Sequence, residues 1–130
     1  MKRFASHYLL LPDVGFVKQQ VVEVNNEGMV VGAFPLTEEI ESVEWMPGVI
    51  VLITPDQLEE IKNTGMSVKT IPVFHFNLPI ISSPSFESAC LKAFIESIAE
   101  RKVILYPCLL YPFDFTSMQP VDGTQHKLLR

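Results

Sequence analysis

The sequence predicts an α+β fold: a mainly antiparallel or mixed β-sheet, or a small β-sandwich, with two helices packed on it. Three observations predict it. The first half is a series of short apolar, β-branched runs separated by turn residues. Two later segments, after Thr54 and after Ser83, carry helix-start chemistry. The chain has 130 residues, 48% apolar and 19% charged, which is enough apolar material for one core and too little length for two ordinary domains. Residues 1–130 therefore read as a single domain. Within it, 1–53 is β-rich, 54–106 alternates helix and strand, and 107–130 is a tail rich in proline and aromatics.

The elements run in chain order. Phe4 to Leu11 is an apolar run closed by Pro12-Asp13-Val14-Gly15. Phe16 to Val24 is a second strand, with Val22 and Val24 on one face and Glu23 on the other. Asn25-Asn26-Glu27-Gly28 is the strongest turn signal, because Asn and Gly tolerate positive φ. Val21–Val24 and Met29–Ala33 then form a hairpin. Glu38 to Glu44 is acidic and reads as a solvated face. Val49-Ile50-Val51-Leu52-Ile53 is apolar throughout, as a strand buried on both faces should be.

Thr54-Pro55-Asp56-Gln57 starts the first helix with a capping box, proline at the first helical position and acid at the positive dipole end. Leu58 and Ile61 give it one apolar side, and Gly65 ends it. Val68 to Leu78 is extended, with Pro72 marking an edge or bulge. Ser83-Pro84 opens the longer helix, to about Lys102, with Leu91, Phe94, Ile95 and Ile98 on one face at helical spacing. Val103 to Tyr106 is one more strand. Asp122-Gly123 is a turn, and the last residues are a short strand or a loose tail.

Charge excludes one class of partner. The formal net charge is −5, and no Lys/Arg cluster offers phosphates a basic stripe, so nucleic acid is not expected. The longest apolar run is far short of the ~20 residues a spanning helix needs, so no membrane partner is expected either. The charged N-terminus has too short an apolar run for a signal peptide, which makes the cytoplasm the default location. Cys90 and Cys108 sit among apolar neighbours and read as buried thiols, with a single disulfide as the alternative.

The strand containing His7-Tyr8 leads to the hairpin Val22-Glu23-Val24-Asn25-Asn26-Glu27-Gly28-Met29-Val30-Val31, and after a spacer comes Met46-Pro47-Gly48-Val49-Ile50. Over about the first fifty residues this resembles the small β-domain, or composite domain, at the start of amidohydrolase-type metal-dependent hydrolases. The resemblance implies a Pro-Gly step leading into a metal-binding (β/α)₈ barrel with a His-x-His motif a few residues on. The matching positions here are Ile53 and Pro55, which bind no metal. The rest of the chain is too short for a barrel, which takes about 250 residues. The resemblance thus implies a stand-alone or degenerate relative without the catalytic residues.

The side chains supply no catalytic or metal constellation. His7, His75 and His126 have no i, i+2 or i, i+4 pairing, and no Cys-x-x-Cys, G-x-S-x-G or phosphate-loop pattern occurs. No cofactor is expected. In Val73-Phe74-His75-Phe76-Asn77, alternation puts the phenylalanines toward the core and His75 and Asn77 on the other face. These two, with Trp45, are the ligand-binding residues if a pocket exists there. Leu110, Tyr111, Phe113 and Phe115 either cap the core or form a subunit contact.

The leading expectation is a non-catalytic structural or interaction module that self-associates into a homo-oligomer. The alternatives are a component of a metal-dependent hydrolase whose barrel subunit is a separate chain, and a small-ligand-binding domain.

Overall fold

Phe4, Ala5 and Ser6 are all buried, so the alternation of a regular strand fails there, and the chain bends. The same happens twice more, at Gln19 and at Met46-Pro47-Gly48. In the computed structural model, which describes residues 2–11, 14–36, 43–63, 76, 78–81, 83–101 and 103–129, the predicted runs Phe4–Leu11 and Phe16–Val24 are therefore two strands each, and the third bend joins the predicted strand Val49–Ile53 to an additional short strand before it. The order is β1 (Lys2–Ala5), β2 (Tyr8–Leu11), β3 (Gly15–Lys18), β4 (Gln20–Val24), β5 (Val30–Pro35), β6 (Val43–Trp45), β7 (Val49–Ile53), α1 (Pro55–Asn63), β8 (Ile80–Ile81), α2 (Pro84–Arg101), β9 (Tyr106–Asp114) and β10 (Gln119–Leu128).

One sheet has the order β5-β4-β1-β6 and the other β10-β9-β7-β2-β3-β8. Strand pairs β1–β2, β4–β3 and β6–β7 pass from one sheet into the other. Their bends lie side by side and are hydrogen-bonded to one another. Gln19 N–H donates to the His7 carbonyl at 3.2 Å, and Met46 N–H to the Ala5 carbonyl at 2.7 Å. The Ser6 hydroxyl donates to the Tyr8 carbonyl at 2.6 Å, satisfying a buried polar group at the bend. Gln19 takes φ 49° and Gly48 φ 134° there.

The six-stranded sheet is covered on both faces, and β7 is buried along its whole length, as its sequence predicts. One face, with Leu9, Leu11, Ile50, Leu52 and Leu109, shares a core with Phe4, Val22 and Val24 of the smaller sheet and with Leu91, Phe94 and Ile98 of α2. The other face, with Leu10, Val49, Val51, Ile53 and Leu110, packs on Ile61 and Leu58 of α1 and on Phe76. Each fully buried Ile or Leu is worth about 1.5–3 kcal/mol.

Both helix starts are capped as expected. Gln57 N–H donates to Thr54 Oγ1 at 3.2 Å while Gln57 Oε1 accepts from Thr54 N–H at 2.9 Å, a reciprocal capping box. Ser83 Oγ accepts from Phe86 N–H at 3.5 Å. The Asn25–Gly28 turn closes the β4–β5 hairpin, with Gly28 at φ 83°. Val22 and Val24 are buried, and Glu23 on the opposite face pairs with Arg3 at 3.3 Å.

Three expectations are corrected. Residues 103–105 are not strand: Leu105 offers its carbonyl to Val30 N–H at 2.8 Å, closing onto the start of β5. The tail is neither loose nor a short strand, since β9 and β10 form the longest hairpin among the described residues. Its turn is Phe115–Met118, not Asp122-Gly123, which lies inside β10 where the register shifts between Pro120 and Gln125. There Thr124 Oγ1 accepts from Val121 N–H at 2.8 Å and donates to the Pro112 carbonyl at 2.7 Å, so the bulge keeps its polar groups paired. The expected helix end at Gly65 and most of the Val68–Leu78 stretch lie outside the described residues, as do Glu38, Glu39 and Glu41.

Candidate functional site

The shared bend exposes one set of side chains that none of the three strands could bury. His7 leaves the sheet at the β1–β2 bend. Its Nδ1 accepts from Gly48 N–H at 3.2 Å, so the proton of the neutral ring sits on Nε2. Gly48 is required there for a second reason: a Cβ would stand 2.4 Å from the Leu110 carbonyl oxygen. The His7 ring meets Trp45 edge-on, with centroids 5.2 Å apart, and Phe115 at 4.7 Å. Trp45 is 44% exposed and Phe115 37%, high values for rings of this size.

From Phe115 the ring contacts continue inward. Tyr8 lies at 5.7 Å and Phe113 at 5.8 Å, and Phe113 in turn meets Phe76 at 5.7 Å and Phe16 at 6.3 Å. The outer rings are thus anchored on core rings in tilted and edge arrangements that aromatic pairs prefer. Beside them opens an apolar cleft of about 260 Å³, walled by Pro47, Gly48, Tyr111, Pro112, Phe113 and Phe115.

Phe115 is presented by the β9–β10 turn. Asp114 Oδ1 accepts from Thr116 N–H at 2.9 Å and Ser117 N–H at 3.4 Å, and Oδ2 accepts from the Ser117 hydroxyl at 2.9 Å. These bonds favour the charged carboxylate and hold it below its ordinary range, the Thr116 backbone bond contributing most.

The predicted residues divide. Trp45 is at the site. His75 and Asn77 lie outside the described residues. Leu110 is fully buried and Phe113 only 7% exposed, so both belong to the core behind the cleft, while Tyr111 is half-buried in its wall and Phe115 stands at its mouth. His7, Pro47 and Gly48 were not singled out as site residues. No sequence signal marks His7, because the burial of Phe4, Ala5 and Ser6 that bends the chain before it is visible only in the structure.

Among the described residues, no three His, Cys, Asp or Glu side chains gather where they could hold a metal ion. Both cysteines are free thiols; burial pushes the Cys108 thiol up to about 12 against an opposing backbone hydrogen bond from Lys127. That thiol is no nucleophile at neutral pH. No helix among the described residues is long and apolar enough to cross a membrane.

No protein-family model, curated protein or solved structure matches this chain.

Proposed function

We propose that this chain is a non-catalytic interaction module that receives a ring-sized apolar group, such as a partner's proline or aromatic side chain, in the cleft at the sheet bend. The observation that carries this reading is the exposed His7–Trp45–Phe115 cluster at the mouth of a preformed apolar cleft. A cavity of about 150 Å³ holds benzene, and whole drug-sized ligands take about 300–1,000 Å³. The volume here suits one ring with a small substituent. The neutral His7 ring contacts Phe115 of the cleft and carries a donor at Nε2–H, which suits a partner whose backbone carbonyl flanks the ring. His7 does not serve as a base in this arrangement, because its acceptor nitrogen is already engaged by Gly48.

Trp45 is the only tryptophan, so its fluorescence reports this corner directly. Short blocked peptides of Gly-X-Gly type, with X proline, tyrosine or phenylalanine, should give a saturable change with Kd of about 1 mM or tighter, equivalent to about −4 kcal/mol. Phe115→Ser should abolish it. A flat titration for all three peptides rejects the reading.

The hydrolase-component reading rests on the resemblance that includes the Met46-Pro47-Gly48 step, of which Pro47 and Gly48 line the cleft. It predicts that a barrel chain lacking its own β-domain co-elutes with this one; two independent peaks reject it.

A further inference from the structure

Buried polar atoms in folded chains nearly always have partners, so one that lacks a partner calls for a physical explanation. Gln20, at the start of β4, is 1% exposed. Its Nε2 donates to the Lys18 carbonyl at 2.9 Å and to Glu87 Oε1, in the first turn of α2, at 2.8 Å. Both partners are acceptors, which fixes the orientation of the amide. Oε1 is then left buried with no hydrogen-bond partner. An unsatisfied buried acceptor weakens the arrangement that buries it, and it regains water when the helix above it leaves.

α2 is held lightly in two other respects. Of its side chains at residues 85–100 only Leu91 is buried, while Cys90, Phe94, Ile95 and Ile98 are half-buried. A groove of about 420 Å³ parts the helix from β5, between Ala33, Phe34 and Pro35 on the strand and Ser88, Leu91 and Ile95 on the helix. Among the described residues, Gln20–Glu87 is the one side-chain hydrogen bond from α2 to the sheets. The strands beneath keep their own partners, because β4 lies between β1 and β5.

We propose that α2 is a latched cover: the whole helix leaves the sheets as one unit, with the Gln20–Glu87 bond as its latch, while both sheets stay paired. Opening hydrates Gln20 Oε1 and bares Leu91, Phe94 and Ile98 as an apolar strip. Segments that move in binding are drawn from such weakly buried units. The cover shares no residue with the cleft at the sheet bend, so the two readings stand or fall separately.

The test is hydrogen exchange of the full chain, read amide by amide by NMR without denaturant. The amides of residues 88–100 should share one protection factor, at least about 100-fold below that of Val49–Ile53 in β7. A helix as protected as β7 overturns the proposal. So does protection that climbs from the helix ends to its middle, which is fraying. The latch is tested by two replacements that remove the same charge. Glu87→Gln keeps an acceptor for Gln20 Nε2 and adds an N–H donor for Oε1, whereas Glu87→Ala removes both. Exchange along α2 should be about tenfold slower in Glu87→Gln than in Glu87→Ala. Alanine's higher helix propensity acts in the opposite direction and does not produce that difference. The amide shifts of β7 check that both variants are folded. Equal exchange in the two variants, or faster exchange in Glu87→Gln, overturns the latch.

Discussion

Two of the molecule's hairpins, β4–β5 and β9–β10, are built on different principles. In β4–β5 the turn dictates the pairing: Asn25 Oδ1 accepts from Glu27 and Met29 N–H, and Gly28 takes the positive φ that closes it. In β9–β10 no glycine occupies the turn. Asp114 organises it through side-chain bonds, and the positive φ falls on Met118, at 55°. That cost is borne because Met118 and Phe113 are buried in the core. A hairpin can be specified by its turn or by the surface its strands cover, and only the first kind announces itself in a short stretch of sequence.

The sharpest way to break this comparison is Phe113→Ala. If the second hairpin is held by burial, losing that ring from among Phe16, Phe76 and Phe115 should cost about 3–5 kcal/mol in denaturant unfolding. A loss below about 0.5 kcal/mol, the scale of a surface change, would mean that the hairpin does not belong to the core. Next in size is Gly28→Ala. Alanine at φ 83° should cost about 1–2 kcal/mol, whereas Gly123→Ala, with nothing within 4 Å of the added carbon, should stay within about 0.5 kcal/mol. Equal effects would erase the contrast between a glycine-made turn and a bulge that needs none.

The smallest effect is set by pH. The Asp114 carboxyl is held below its ordinary value of 3.8 in the folded chain. Its contribution to the turn is therefore complete above that value and lost as pH falls through the lower folded value. The amide resonances of Thr116 and Ser117 should shift with a midpoint below that of a free aspartate, and Asp114→Ala should remove the transition. A midpoint at or above the free value would show that those bonds do not favour the carboxylate.

The same contrast explains which elements are legible in the sequence. The β4–β5 hairpin, the doubly buried β7 and both caps were legible because each depends on residues a few positions apart. The aromatic tail was not, because its prolines argue against a strand inside a sheet. Pro107 escapes that rule by position. Its carbonyl accepts from Leu129 N–H beyond the last paired residues of β10, so its absent N–H faces the end of the ladder. Pro112 lies past the last β7 pair, Val49–Leu110, and opposite the β10 bulge. The cleft was half legible: Trp45 and Phe115 stood out as apolar residues wanting an explanation. His7 could not be joined to them, because the contact spans 38 residues to Trp45 and depends on three bends falling in line.

That alignment has a consequence for how the chain tolerates insertion and loss. A sheet folded along one crease behaves like pleated paper: no single strip can be lengthened without moving its fold off the line. Deleting one residue between Phe4 and Leu11 would shift one bend by a position while the bends at Gln19 and Met46–Gly48 stayed where they are. It would also invert every side chain beyond the deletion. The strands flanking the crease should therefore accept substitutions of like volume but no change in length, and variation in length should be confined to the stretches between them.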